Sequence, residues 1–98
     1  MEPILVIRKK DYTTKKKMLS YIAEELNFPD YFGNNLDALY DCLTDIDEPI
    51  NIALDPIPSS ESEKWYQSIF KVLLDAAAGN ENIKVFGAIK IDSDGDEE

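Results

Sequence analysis

YFGNNLDALYDCLTDI, residues Tyr31 to Ile46, sets acids, aromatics and amides at helical spacing, and the rest of the chain is organised around it. A helix that starts after Gly33, with Asn34 or Asn35 accepting the first free backbone N–H groups as cap, turns each successive residue about 100° around its axis. That rotation gathers Leu36, Leu39, Cys42, Leu43 and Ile46 on one arc and Asp37, Tyr40, Asp41, Thr44 and Asp45 on the opposite one. The first arc is assigned to the core, with Cys42 a buried free thiol, and the second faces out.

The outward arc carries carboxylates at i, i+4 and i+8, a spacing at which like charges repel by roughly a few tenths of a kcal/mol per pair. The helix dipole favours Asp37 in the first turn and disfavours Asp45 near the last. Between Met18 and Glu63 there are eleven acids and no lysine or arginine to offset them. Such a face is either a solvated helix surface or a docking surface for a cation-rich partner.

On the N-terminal side, Pro3 to Ile7 is a continuous apolar run with β-branched residues, which predicts a strand buried on both faces. Arg8, Lys9 and Lys10 end it. Thr13 or Thr14 caps a helix whose Met18, Leu19, Ile22, Ala23 and Leu26 share one face, and Pro29 stops it. Phe32, in the link before the central helix, is assigned inward.

On the C-terminal side, Asp47-Glu48-Pro49 breaks the pattern and Ile50 to Leu54 predicts a second strand with Asn51 as its polar interruption. Pro56 and Pro58 mark a loop. Ser60 with Glu63 predicts a capping box, and Trp65, Ile69, Val72, Leu73 and Ala76 continue at helical spacing to Gly79 as the residue just past the helix. Ile83 to Ile91 predicts a third strand, with Gly87 a bulge or a point of close approach. Asp92 to Glu98 holds five acids in seven residues and is expected to be a disordered tail. This element order predicts an α/β fold with mutually parallel strands and right-handed crossovers.

Ninety-eight residues suit one domain, here 1–91, followed by the tail 92–98. The net charge of −10 argues against direct nucleic-acid or membrane binding, because both need clustered lysine and arginine, and makes a basic protein the natural partner. With no histidine there is no Ser-His or Cys-His pair, and one cysteine forms no intrachain disulfide. Asp37, Asp41 and Asp45 on one convex helix converge poorly for general acid/base work or for Mg²⁺, and the four scattered glycines make no phosphate loop. Neither an enzyme nor a cofactor is expected. The start MEPILVIRKK has no signal-like apolar stretch, which together with the free thiol suggests a cytoplasmic protein.

Tyr31, Gly33, Asn35, Leu36, Asp37, Ala38, Leu39, Asp41, Cys42, Leu43 and Thr44 together make this stretch resemble the signature segment of the barstar family, inhibitors of secreted barnase-type ribonucleases. The resemblance implies a small three-stranded parallel sheet packed with three to four helices and a 1:1 complex with a basic ribonuclease. It also implies roles. Asp41 enters the enzyme's phosphate site, Asp37 supports it from one turn earlier, and Tyr31 stacks beside the catalytic group. Tyr40, at a usually tryptophan position, and Thr44 contact the same face, Asn35 and Gly33 shape the loop, and Asp75 supplies a second acidic patch. Asp45 stands where glycine is usual, Ile46 where tryptophan is common and Asn34 where an acid is frequent, so these three are expected to adjust specificity at the rim. The alternative is an immunity or regulatory module for a basic toxin that is not a ribonuclease.

Overall fold

The computed structural model describes residues 3–29 and 35–87. Tyr31, Phe32, Gly33 and Asn34, the last part of the expected third strand and the acidic tail lie outside the described residues. In chain order the elements are β1 (Ile4–Arg8), a 3-10 turn (Lys9–Asp11), α1 (Lys15–Glu25), α2 (Leu36–Thr44), β2 (Ile50–Asp55), α3 (Lys64–Gly79) and β3 (Ile83–Gly87). The strands form one parallel sheet in the order β1-β2-β3, so the expected α/β class holds, with three α-helices among the described residues.

Among the described residues the sheet is covered on one face. Leu5 and Ile7 of β1, Ile52 and Leu54 of β2 and Ile83 of β3 point into a cluster with Met18, Leu19 and Ile22 of α1, Leu39 and Leu43 of α2, and Tyr66, Ile69, Leu73 and Ala76 of α3. The alternate residues Ile4 and Val6, and Phe86 across the sheet, are exposed. This corrects the expectation of a first strand buried on both faces. An unbroken apolar run is compatible with either one or two covered faces, and here the helices leave the second one open. The outer edge of β1 is nonetheless blunted. Asn51 N–H donates to Pro3 O, which puts residues of that parity toward β2, and Val6, of the other parity, offers its carbonyl to the open edge, where Tyr21 Oη–H donates to it at 3.1 Å.

Helix ends follow local chemistry where no long-range competitor intervenes. Thr14 caps α1, accepting from the Lys17 N–H at 3.2 Å. The helix then stops at Glu25, ahead of Pro29, because Asn27 takes a left-handed conformation with φ of 61°. The capping box expected from Ser60 and Glu63 does not form. Ser59 and Ser62 close their own turn, Ser59 N–H donating to Ser62 Oγ at 2.9 Å, and the helix begins at Lys64 with Glu63 as its N-cap residue. The Glu63 carboxylate is drawn away to Lys9 Nζ at 2.7 Å, and this hydrogen bond holds its carboxyl below the usual carboxylate range. Lys9 Nζ also lies 5.1 Å from the Trp65 ring centroid, so the 3-10 turn is tied to the start of α3. Gly79 is the last helical residue, and Asn80, not Gly79, closes α3.

On α3 the buried positions are Tyr66, Ile69, Leu73 and Ala76, while Trp65 and Val72, both read from spacing as core, are only half-buried. Tyr66 is 1% exposed and its hydroxyl donates to Pro56 O. Burial, with the nearby Asp55 charge, pushes the Tyr66 hydroxyl up to about 12 from its ordinary 10.0. The unfolded chain releases this proton near its ordinary value and the folded chain holds it, so stability should fall as pH rises from 10.0 toward about 12. Denaturant unfolding across that window should show a steeper fall for the wild type than for Tyr66→Phe, and parallel curves would contradict it.

Gly87 is the point of close approach that its place in the third strand suggests. A Cβ there would lie 1.8 Å from Ile57 Cγ1 and 2.8 Å from Ile57 Cβ. Gly87→Ala should therefore destabilise by roughly 1–3 kcal/mol, as overpacking does. Part of that loss should disappear when the substitution is made in an Ile57→Ala background, measured as a double-mutant cycle in urea.

Candidate acidic binding face

α2 begins as its sequence requires. Asn35 takes an extended conformation and its Oδ1 accepts the Ala38 N–H at 2.7 Å, so of the two candidate caps it is the one used. Leu39 and Leu43 are fully buried, and Leu36, Cys42 and Ile46 half-buried. Asp37, Tyr40, Asp41, Thr44 and Asp45 are exposed, as the rotation around the axis predicts. Thr44 Oγ1 donates back to Asp41 O at 2.9 Å, which commits its proton and leaves its lone pairs outward. Asp45, the C-cap, is right-handed with φ of −87°, so a residue with a Cβ is accommodated there without strain.

Four of the sequence-derived residues converge. α2 packs on α3, and the shallow groove between them is lined by Leu36, Asp37, Tyr40, Asp41, Val72 and Asp75. Half-buried Leu36 and Val72 supply apolar lining, and three carboxylates from two helices surround it. Among the described residues Asp75 has one neighbour of opposite sign, Lys71 Nζ at 3.5 Å, with both side chains mostly in water. A pair so exposed contributes little and leaves Asp75 available to a stronger cation. Thr44 and Asp45 stand apart from this groove. They line a second concavity with Ile46, Asp47 and the α3–β3 loop. Asn35 sits at the helix start, and Tyr31 and Gly33 lie outside the described residues.

Helical spacing alone assigns Leu36 and Val72 to the core and does not single out Lys71. The i, i+4 spacing of Lys71 and Asp75 was a usable signal. For Val72 the signal was its place three residues before Asp75 on one helical face.

The Cys42 thiol is half-buried, not buried, because it lies at the edge of the apolar arc. Burial, then the Asp45 and Asp41 charges, push it above its ordinary value. Among the described residues no group of three or more His, Cys, Asp or Glu is placed to hold a metal ion, and no helix is long and apolar enough to cross a membrane.

What the arrangement can do is bind cations by charge and shape over two packed helices, the property of a small α/β recognition domain. The chain belongs to the barstar (barnase inhibitor) family, whose model matches residues 2–89. It is 39% identical over 51 residues to the Bacillus subtilis (strain 168) protein "Putative ribonuclease inhibitor YrdF", a match that covers 51% of this chain and 56% of that protein. The chain thus spans little more than half the length of this relative.

Because thiolate is the reactive form, a raised thiol reacts slowly at neutral pH. Alkylation of Cys42 by iodoacetamide at pH 8 should be slower than that of an unstructured cysteine peptide, and Asp45→Asn should accelerate it. An unchanged rate in Asp45→Asn would contradict the charge contribution.

Proposed function

We propose that this protein inhibits a basic, barnase-type ribonuclease, forming a 1:1 complex in the cytoplasm that lays the α2–α3 acid groove over the enzyme's cationic active site. The observation that carries the reading is the convergence of Asp37, Asp41 and Asp75 from two helices in one groove of a barstar-family chain. A ribonuclease site is cationic because it holds RNA phosphates. Carboxylates at matching positions occupy it by mimicry, without any chemistry by the inhibitor.

In this reading Asp41 takes the central phosphate position and pairs with the enzyme's basic side chains. Pairing there has to be complete, because a desolvated carboxylate left without partners is strongly unfavourable. Asp37 supports it from one turn earlier. Asp75 engages a cation at the groove's far wall, exchanging its weak Lys71 contact for a better one. Tyr40 contributes flat contact area, and the outward lone pairs of Thr44 accept from the partner. Tyr31 stacks beside the enzyme's catalytic group, and Gly33 and Asn35 shape the loop, as the family resemblance implies. Asp45 and Ile46 form a rim with a charge that a non-cognate enzyme leaves unpaired, which is a route to selectivity.

Titration of a barnase-type ribonuclease with the protein, followed by cleavage of a fluorogenic RNA, should show stoichiometric loss of activity. Asp41→Ala should weaken inhibition by about 30-fold or more, Asp37→Ala by less, and Asp75→Ala by under about tenfold, since central desolvated contacts dominate over rim charges. Full RNA cleavage at excess protein would overturn the reading. Specific binding to a basic toxin without ribonuclease activity would replace it by the immunity-module alternative.

A further inference from the structure

The geometry points to Asn80 as the residue that positions the acid face, a role that rests on the inhibitor reading above. α2 ends without a left-handed residue and without lysine, arginine or histidine in its last turn. Its terminal carbonyls therefore lack two common partners, and its negative dipole end sits beside Asp41 and Asp45. Backbone N–H groups of Asp45 and Ile46 reach Cys42 O and Leu43 O, and further donors come from the loop between α3 and β3. Asn80 Nδ2–H groups donate to Leu43 O at 3.1 Å and to Ile46 O at 2.8 Å, and Asn82 Nδ2 donates to Ile46 O at 3.3 Å. The Asn82 backbone N–H donates to Asn80 Oδ1 at 3.0 Å. Only the amide oxygen can accept there, so the amide nitrogen is the end turned to α2.

Asn80 is also the C-cap residue of α3, its N–H reaching Ala77 O at 3.4 Å, while its carbonyl accepts from the Ile83 N–H at 3.0 Å. One side chain thus clamps the end of α2 to the end of α3, the two helices whose separation sets the groove. Asp75 lies about one turn before the clamp on α3, and Asp41 within a turn of Leu43 on α2. The chemistry of the clamp fits the surface it serves. A lysine or arginine would satisfy the same carbonyls, but its charge would weaken the negative field presented to a basic partner. An amide donates hydrogen bonds and carries no net charge.

The test uses Asn80→Ala in the full chain and reads two quantities. In the free protein, amide hydrogen exchange at Asp45 and Ile46 should speed up about tenfold, with Met18 and Ile22 of α1 unchanged, as expected for losing part-buried hydrogen bonds in one local unit. Equal acceleration at α1, or none at α2, would overturn the positioning role. In complex with a barnase-type ribonuclease, dissociation should be about tenfold faster while association changes less than about twofold, because the charge is unaltered. In an Asp41→Ala background the same substitution should cost less than about threefold, since a residue acting through Asp41 is not additive with it. An equal penalty in both backgrounds would overturn the inference. If the wild type binds no ribonuclease, the inhibitor reading fails, and the exchange measurement still decides the clamp.

Discussion

Burial of Leu39 and Leu43 is the interaction on which the candidate site depends. α2 has nine residues, fewer than a helix needs to persist alone in water, and its outward arc carries three acids at repelling spacing. Each fully buried leucine contributes roughly 1.5–3 kcal/mol, and each repelling pair costs only a few tenths. Packing wins by a wide margin. The outward arc is therefore free to carry a pattern that helix stability alone would not choose.

The sheet and α3 provide the rigid side of that bargain. α3 sets Tyr66, Ile69, Leu73 and Ala76 into the same cluster as Leu39 and Leu43, so the floor beneath the acid groove is continuous with the core. The groove walls are exposed and weakly engaged. Asp75 has a loose Lys71 contact, and α2 has no basic residue of its own. A surface of this kind keeps its fold while its charges wait for an external partner.

Much of this was readable from residue order. The two arcs of α2, a cap at Asn34 or Asn35 and another at Thr13 or Thr14, and the strand positions depend on contacts within a few residues or on strict periodicity, whereas the close approach at Gly87 is to distant Ile57 and was marked only by the glycine itself. Failures came where distant residues compete. Ser60 and Glu63 have the spacing of a capping box, but Lys9 lies far away in sequence and takes the Glu63 carboxylate. Trp65 was favoured over Tyr66 by a shift of one position along the same helix, because an indole and a phenol serve equally well in a periodic count. The open face of β1 was hidden because hydrophobicity does not record which side a helix covers. The roles of Asp41 and Asp75 were suggested by family resemblance, and their common groove by the fold. The Asn80 clamp reaches 37 residues back to Leu43 and left no local trace.

The carboxylate groove between α2 and α3 is the surface proposed to grip a partner. An amide-resolved NMR titration of the isotopically labelled protein with a barnase-type ribonuclease tests it most directly. Perturbations should concentrate from Asn35 to Asp45 and around Val72 and Asp75, with the open face of the sheet at Ile4, Val6 and Phe86 undisturbed. Perturbations centred on Ile4, Val6 and Phe86, with Asp37 and Asp41 unmoved, would contradict it.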